Sequence, residues 1–286
     1  MAELRDKMVR DMQLRNMAPR TQESYVRVVN ELVNHYGKSP LKITAQEIED
    51  YILYLRQERE LSWNTCNVAI CGIKFFFNVT LKAQVPGLQM PEKKSIKRLP
   101  VVYSREEVKR ILYAHENVKH RVMLMVTYSG GLRASETSNL KITDIDSDRM
   151  LIRVNQGKGN KDRFTLLSQT CLSELKYYYR DYRPSTYLFP SSQPDTPIAP
   201  GTLNNIFRKA KKKVGIRKEG GAHGLRHSFA THLLESGYDI QSIQRLLGHK
   251  DISTTSIYLH VARKPETIQS PLDIIASTVE QETPWE

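Results

Sequence analysis

The sequence predicts a mainly α-helical protein of two domains that carries one small β-hairpin. The chain has 286 residues, and single domains usually span roughly 100–200 residues. Apolar residues recur at helical spacing through most of the chain. Strand-like apolar runs flank a turn at one place, residues 155–162. We therefore expect a helical first domain, residues 1–84, and a mixed but mostly helical second domain, residues 101–262.

The first domain is expected to be a set of three helices. Thr21 is predicted to cap a helix that ends at Gly37, because the apolar residues between them share one face. Thr44 and Glu47 have the spacing of a capping box, which marks the start of a second helix. A third helix is predicted over residues 63–79. No alternating strand pattern appears before residue 100.

A basic segment, residues 85–100, is expected to link the two domains. It contains three prolines and no helical apolar pattern, which favours an extended conformation. Two interpretations stay open: a solvated loop, or a connector that lies along a nucleic-acid phosphate backbone. Its cations are Lys93, Lys94, Lys97 and Arg98.

The second domain is expected to begin with a helix that starts at a capping box of Ser104 and Glu107. Two glycines, Gly130 and Gly131, should end a buried segment, and a short helix should then run through Leu140. The predicted hairpin follows, and helices return after it. The hairpin strands are residues 150–154 and 163–167, and the later helices are residues 170–182, 202–214, 223–236, 240–247 and 254–261.

The composition excludes several classes of protein. Apolar residues make up 40% and charged residues 26%, as in ordinary globular proteins and unlike disordered chains. No run approaches the roughly 18 apolar residues of a membrane span. The N-terminus is charged throughout and has no apolar signal region. Three cysteines are too few for a disulfide framework, which favours a reducing interior.

The net charge of +12 is unevenly distributed. Residues 1–90 hold 12 basic and 10 acidic side chains, whereas residues 91–286 hold 31 and 21. A basic surface of this kind attracts nucleic acid, anionic membrane or acidic partners. Charge alone does not choose among them.

Five segments of the second domain hold residues suited to phosphate chemistry. Taken singly, each has a structural alternative. Arg133 and Glu136 have the spacing of a helical ion pair, Lys158 resembles an exposed hairpin lysine, and Tyr258 has apolar neighbours typical of a core. The candidate residues are Arg133, Glu136, Lys158, His223, Arg226, His249 and Tyr258.

A metal site is the alternative for the histidines of one predicted helix. His223, His227 and His232 lie close in sequence, but Arg226 would place a positive charge beside the cation. No carboxylate or cysteine adjoins them, so a metal site is disfavoured. The sequence also lacks the glycine loop ending in Gly-Lys-Ser/Thr, the usual signature of nucleotide hydrolysis.

Taken together, these segments resemble the tyrosine recombinase (phage integrase) family in its simple Xer-like or integron-integrase-like form. The resemblance covers nearly the whole chain. It is strongest over residues 131–136 and in the string HGLRHSFATHLLESGYDIQSIQRLLGHKDISTTSIYLHV. An arginine, a lysine, His-x-x-Arg, Gly-His and a tyrosine occur in the family's order.

The resemblance implies a role for each candidate residue. Tyr258 would be the nucleophile that attacks a DNA phosphodiester, and Arg133 and Arg226 would hold the scissile phosphate. Lys158 would protonate the leaving 5′-oxygen, and His223 would serve in acid or base catalysis. These residue types suit the chemistry, because guanidinium groups meet phosphate in bidentate fashion and stay charged.

Two further residues complete the implied site. His249 matches the position that donates a hydrogen bond to a phosphate oxygen, and Glu136 matches an acidic position that orients the site. A phosphotyrosine ester keeps the energy of the broken bond, so a 5′-hydroxyl can reseal the strand. The resemblance therefore implies neither cofactor nor metal.

The implied function is site-specific recombination of duplex DNA through a 3′-phosphotyrosine intermediate, for integration, excision or resolution. The expected partners are paired inverted sites and other copies of the chain, as a dimer on each site and a tetramer in synapsis, without a membrane. The expected location is the cytoplasm, at a bacterial-type nucleoid. Residues 1–84 would be the SAM-like core-binding domain and residues 101–262 the catalytic domain. The tail, residues 263–286, would dock on a neighbouring subunit or on its own domain.

Two other functions remain as alternatives on the same fold. A type IB topoisomerase-like enzyme would share the tyrosine chemistry but only relax supercoils. A regulator would bind DNA without cutting it. The complete set of catalytic residue types argues against the regulator, and the Xer-like first domain and apolar tail argue against the topoisomerase.

Overall fold

The computed structural model describes residues 2–83, 99–155, 162–193 and 195–262. The chain divides into two units, Met1–Ser95 and Ile96–Glu286. Most of the expected linker, Lys158 and the whole of the tail from residue 263 lie outside the described residues.

Within residues 2–83, the first unit has four α-helices, a 3₁₀ turn between the second and the third (Pro40–Lys42), and a π-helical turn after the fourth (Phe76–Thr80). Apolar side chains from each helix and from the π-helical turn form one core, which includes Met12, Leu32, Ile48 and Ile73. No strand occurs within residues 2–83. The helices are α1 (Ala2–Gln13), α2 (Pro19–Tyr36), α3 (Ala45–Gln57) and α4 (Trp63–Phe75).

The helix starts show which local signals decide the fold. The Thr44–Glu47 capping box of α3 is confirmed. The predicted cap at Thr21 is wrong, because α2 begins at Pro19 and Thr21 lies inside its first turn. Proline has the φ angle of a helix and no N–H to leave unpaired, so it suits the first helical position. The third predicted helix, residues 63–79, is confirmed in extent, since α4 (Trp63–Phe75) continues directly into the π-helical turn Phe76–Thr80.

The second unit holds the remaining elements, and its core is larger. Two of its helices, α6 and α10, are buried over most of their circumference. A helix buried on all sides lies inside the core, with other elements packed around it. Its helices are α5 (Arg105–Leu112), α6 (Val118–Ser129), α7 (Ala134–Ser138), α8 (Gln169–Tyr182), α9 (Pro200–Lys213), α10 (His223–Glu235), α11 (Ile240–Leu247) and α12 (Ser253–Ser256).

A three-stranded antiparallel sheet confirms the predicted hairpin. Its strands are β1 (Ile145–Asp146), β2 (Leu151–Val154) and β3 (Arg163–Leu166), in that order. Val154 at the end of β2 pairs with Arg163 at the start of β3. The sequence did not indicate β1, because two residues are too few to show an alternating pattern. The Thr165 hydroxyl donates to the carbonyl of Gly130 at 2.8 Å, which joins the sheet to the end of α6.

The last helical segments differ from the prediction. The segment expected over residues 254–261 is α12 followed by a 3₁₀ turn, Ile257–His260. The helix expected to run through Leu140 ends at Ser138. Within the described ranges, no helix combines the length and apolar composition needed to cross a membrane.

Helix α10 approaches the segment before α5 so closely that one position requires glycine. A Cβ atom on Gly224 would lie 2.5 Å from the ring of Tyr103. The backbone N–H of Tyr103 donates to the buried Ser228 hydroxyl at 2.8 Å. Tyr103 therefore fixes the position of the N-terminal half of α10.

We expect Gly131→Ala to lower the free energy of unfolding by more than Gly215→Ala. Both glycines have positive φ, +57° and +71°, which costs an alanine about 1–2 kcal/mol. A Cβ on Gly131 would also lie 2.4 Å from the Phe229 ring, whereas Gly215 has open space around it. Overpacking adds about 1–3 kcal/mol. Urea unfolding of both variants checks this, and equal losses would contradict the close packing of Gly131.

Candidate active site

The carboxylate of Glu136 lies among three guanidinium groups from different parts of the second unit. Its side chain is only 6% exposed. Arg133 donates to Oε1 at 2.6 Å, and Arg163 donates to both oxygens at 2.9 and 2.8 Å. Arg226 lies 3.7 Å from Oε2. One carboxylate thus joins α7, β3 and α10.

Local sequence explains how Glu136 reaches this position. It is the third residue of α7, and its carboxylate accepts the backbone N–H of Arg133 at 2.8 Å in a capping-box geometry. Burial by itself raises the pKa of Glu136, but the hydrogen bonds and charge of Arg163, followed by those of Arg133, lower it to about 2. Three cations against one anion leave this cluster with an excess of positive charge.

Arg226 is a buried cation whose side chain is 1% exposed. Nη1 donates to the carbonyl of Gly131 at 2.7 Å, and Nη2 donates to that of Leu247 at 2.6 Å. Burial and the charge of Arg133 lower its pKa to about 9, so it stays protonated at neutral pH. Arg226 therefore ties α10 to the turn before α7 and to the end of α11.

The C-terminus of α11 depends on two of these arginines. Its last carbonyls have no partner within the helix. Arg163 Nε donates to Leu246 at 2.9 Å, while Arg226 bonds Leu247. Cations are favourable at this negative end of the helix dipole. Gly248 then ends α11 with φ of +64°, and a Cβ there would lie 2.6 Å from Arg163 Cδ.

His249 follows this helix end and is held by hydrogen bonds to other residues. Its Nδ1 lies 2.9 Å from the hydroxyl of the buried Thr255, and its carbonyl accepts from Gln244 at 3.1 Å. Burial, and next the charges of Arg226 and Arg133, lower the pKa of His249 to about 3. The ring is therefore neutral at physiological pH.

Tyr258 lies in the 3₁₀ turn Ile257–His260 and is 2% exposed. Its phenol oxygen is 2.9 Å from Nδ1 of His227 on α10. The ring of His227 in turn meets that of His223 edge to face, with centroids 4.5 Å apart. Burial raises the pKa of Tyr258, and the nearby charge of Arg226 opposes this rise.

Comparisons with known proteins identify the fold and the family. Residues 102–264 match the phage integrase family, and residues 4–86 match the N-terminal SAM-like domain of phage integrases. The chain belongs to the phage integrase family. It is therefore a tyrosine-type site-specific recombinase.

Individual relatives agree over most of this recombinase. A Sinorhizobium fredii protein named as an integrase/recombinase is 41% identical over 96% of this chain and 90% of its own. Tyrosine recombinase XerA of Pyrococcus horikoshii is 37% identical over 80% of this chain and 79% of its own. Among solved structures, the alignment with XerA recombinase covers 99% of this chain and 99% of the XerA chain, at 30% identity and a TM-score of 0.52. The structure of a lambda integrase tetramer shows the same fold, with a TM-score of 0.74 and 19% identity. The alignment covers 94% of this chain and 80% of the integrase chain.

The structure places most of the predicted site residues of the recombinase together. Arg133, Glu136 and Arg226 form one cluster, and His249 follows the helix end that Arg226 bonds. A second group, joined by its rings and one hydrogen bond, is formed by His223, His227 and Tyr258. Lys158 lies outside the described residues.

Two residues of the site were not identified from sequence. Arg163 is not among the residues predicted from the sequence to form this site, because strand spacing does not show that a side chain will reach a distant carboxylate. His227 entered only in the disfavoured metal site. Its position four residues after His223, on the same helix face, was the available signal.

The histidines of α10 do not converge on one point. His227 bonds Tyr258, whereas Nδ1 of His232 lies 2.9 Å from the hydroxyl of Tyr128. Within the described residues, no group of three histidine, cysteine or acidic side chains has an arrangement that could hold a metal ion.

We expect Glu136→Gln to reduce the loss of stability at acidic pH. The folded-state pKa of about 2 is below the ordinary value of 4.5, so the contribution is complete above pH 4.5 and is lost toward pH 2. That difference corresponds to about 3 kcal/mol. Urea unfolding between pH 5 and 3 covers about 2 kcal/mol of this loss.

The control for this prediction is Glu23→Gln, which removes an exposed carboxylate of the first unit. This variant should keep the acid sensitivity of the wild type. Acid sensitivity that is unchanged in Glu136→Gln would show that the three arginines do not hold the carboxylate.

Proposed function

We propose that this recombinase cleaves duplex DNA at specific sites by attack of Tyr258 on a backbone phosphodiester. The bond between phosphorus and the phenol oxygen forms while the bond to the 5′-oxygen breaks. The product is a 3′-phosphotyrosine ester and a free 5′-hydroxyl. The supporting observation is a hydrogen-bonded tyrosine beside a cluster of guanidinium groups with excess positive charge.

The arginines are assigned different parts of phosphate binding. Arg133 has 23% of its side chain exposed, more than Arg163 or Arg226, so we assign it direct contact with the scissile phosphate. Arg226 contributes its charge from within the core and keeps the surrounding backbone in place. Phosphate accepts well from such preorganised cations, because they pay no reorganisation during the reaction.

Histidine and lysine side chains supply the remaining steps. His249 is neutral, and if Nδ1 accepts from Thr255, Nε2 carries the proton and donates to a non-bridging phosphate oxygen. We assign His223 to acid or base catalysis at the edge of the site. Lys158 is assigned to protonate the leaving 5′-oxygen, on the ground of its family position alone. Resealing reverses these steps and needs neither cofactor nor nucleotide.

The assembly is proposed to follow that of related enzymes. The solved XerH structure contains a palindromic difH substrate, and a lambda integrase tetramer is bound to a Holliday junction. By analogy, we propose paired inverted sites, a dimer on each site and a tetramer in synapsis. Residues 1–84 would bind core DNA, residues 85–100 would connect the domains, and residues 101–262 would catalyse. Residues 263–286 would dock on the neighbouring subunit, and the reaction would take place on the nucleoid in the cytoplasm.

We expect the wild-type protein to form a covalent adduct with a nicked duplex that carries its site, and Tyr258→Phe to form none. The nick releases the strand beyond the cleavage point, so the ester accumulates. Denaturing electrophoresis measures the adduct. An equal yield from both proteins would contradict the assignment of Tyr258.

We expect Arg133→Lys to lower the single-turnover cleavage rate by about 10²–10³-fold, because an ammonium group cannot reproduce bidentate contact. DNA affinity should change by less than about tenfold, since many other cations contribute to it. The control is Arg121→Lys, which changes an arginine paired with Glu174 away from the site. A rate loss shared by both variants would contradict the role of Arg133.

A further inference from the structure

One residue in contact with the nucleophile has no part in the roles assigned above. His227 follows Arg226 on α10, and its Nδ1 lies 2.9 Å from the phenol oxygen of Tyr258. The distance is that of a hydrogen bond. Within the described residues, His227 is the side chain hydrogen-bonded to that oxygen.

We propose that His227 is the general base that removes the phenolic proton as Tyr258 attacks the scissile phosphate. This proposal rests on the assignment of Tyr258 as nucleophile. It differs from the assignment of His223, whose described contact is with the ring of His227 and not with the phenol. A base must be within hydrogen-bonding reach of the proton it removes, and His227 meets that condition.

The charges around His227 determine which partner holds the proton. Burial, then His223 and Arg226, lower the pKa of His227 to about 4, so its imidazole is neutral at pH 7. Burial raises the pKa of Tyr258, so the phenol keeps its hydrogen. A neutral imidazole has one acceptor nitrogen. For His227 to act as the base, that nitrogen has to be Nδ1, which then accepts from the phenol while Nε2 carries the ring proton.

The lowered pKa of His227 and the raised pKa of Tyr258 mean that the proton moves during the attack rather than before it. The free phenol is too weak an acid to ionise against this imidazole. Bond formation to phosphorus removes electron density from the phenol oxygen, and the anionic phosphate stabilises a charged imidazole next to His223 and Arg226. The neighbouring Arg226 already disfavours a positive charge on His227, so the phosphate has to be bound first.

The step balances in atoms and charge. The phenol O–H bond breaks and its proton moves to Nδ1 of His227, while the bond from Tyr258 to phosphorus forms. The bond from phosphorus to the 5′-oxygen breaks, and that oxygen takes a proton from a separate acid. In resealing, His227 returns its proton to the departing Tyr258.

The test compares variants of His227 on two nicked duplexes, one with the natural 5′-oxygen and one with sulfur in its place. A thiolate leaves without protonation at neutral pH far more readily than an alkoxide. His227→Asn keeps an acceptor for the phenol but cannot take a proton, and His227→Phe removes both functions. Cleavage rates are measured in single turnover from pH 6 to 9.

The control variant is His232→Asn. His232 lies on the same helix, and its Nδ1 is also 2.9 Å from a tyrosine hydroxyl, that of Tyr128. It therefore reports the cost of losing a buried histidine–tyrosine contact without touching the nucleophile. Circular dichroism and DNA binding verify that each variant is folded.

We expect both His227 variants to lose about 10²–10³-fold in rate on the oxygen and sulfur duplexes alike. Their residual rate should rise about tenfold per pH unit, because hydroxide then has to remove the proton, whereas the wild-type rate rises less steeply. His232→Asn should stay within about threefold of the wild type.

Three outcomes would overturn the proposal. They are a wild-type rate in His227→Asn, full recovery of that variant on the sulfur duplex, and an equal loss in His232→Asn. Tyr258→Phe distinguishes this proposal from the assignment of Tyr258 as the nucleophile. An adduct formed by Tyr258→Phe would refute that assignment. If Tyr258→Phe forms no adduct and His227→Asn cleaves at the normal rate, only the assignment of His227 as the base is refuted.

Discussion

The candidate active site of this recombinase depends on the pairing of the buried Glu136 carboxylate with three arginines. A buried charge is costly unless it is paired and hydrogen-bonded. Glu136 is paired with guanidinium groups from the turn before α7, from β3 and from α10. Removing the carboxylate would leave three neighbouring guanidinium groups without their counter-charge, so the four side chains act as a unit. That unit positions the proposed phosphate site.

The same cluster explains how distant segments keep their relative positions. Arg226 and Arg163 bond the last carbonyls of α11, which places His249 beside the cations. Tyr258 follows shortly after and reaches back to His227, one residue from Arg226. The residues proposed to bind phosphate therefore also position the proposed nucleophile and its proposed base. The site is therefore assembled, with excess positive charge, in the protein without DNA.

Sequence predicted the helical fold, the hairpin and the Thr44–Glu47 cap, because apolar spacing and caps are local signals. It placed the start of α2 at Thr21, where proline chemistry decided otherwise. Family resemblance indicated the residue types of the site. The roles of Arg163 and His227 were not evident, since each depends on contact with a residue 27 or 31 positions away. Local spacing carries no information about such contacts.

Three arginines hold an ionised Glu136 before DNA binds. The most direct measurement is an NMR titration of the Glu136 side-chain carboxyl carbon in the DNA-free protein. We predict a pKa of about 2 for this carboxyl group, well below the ordinary value of 4.5. A midpoint near 4.5 would contradict it, because the carboxylate would then be free of the arginines and the site would not be assembled without DNA.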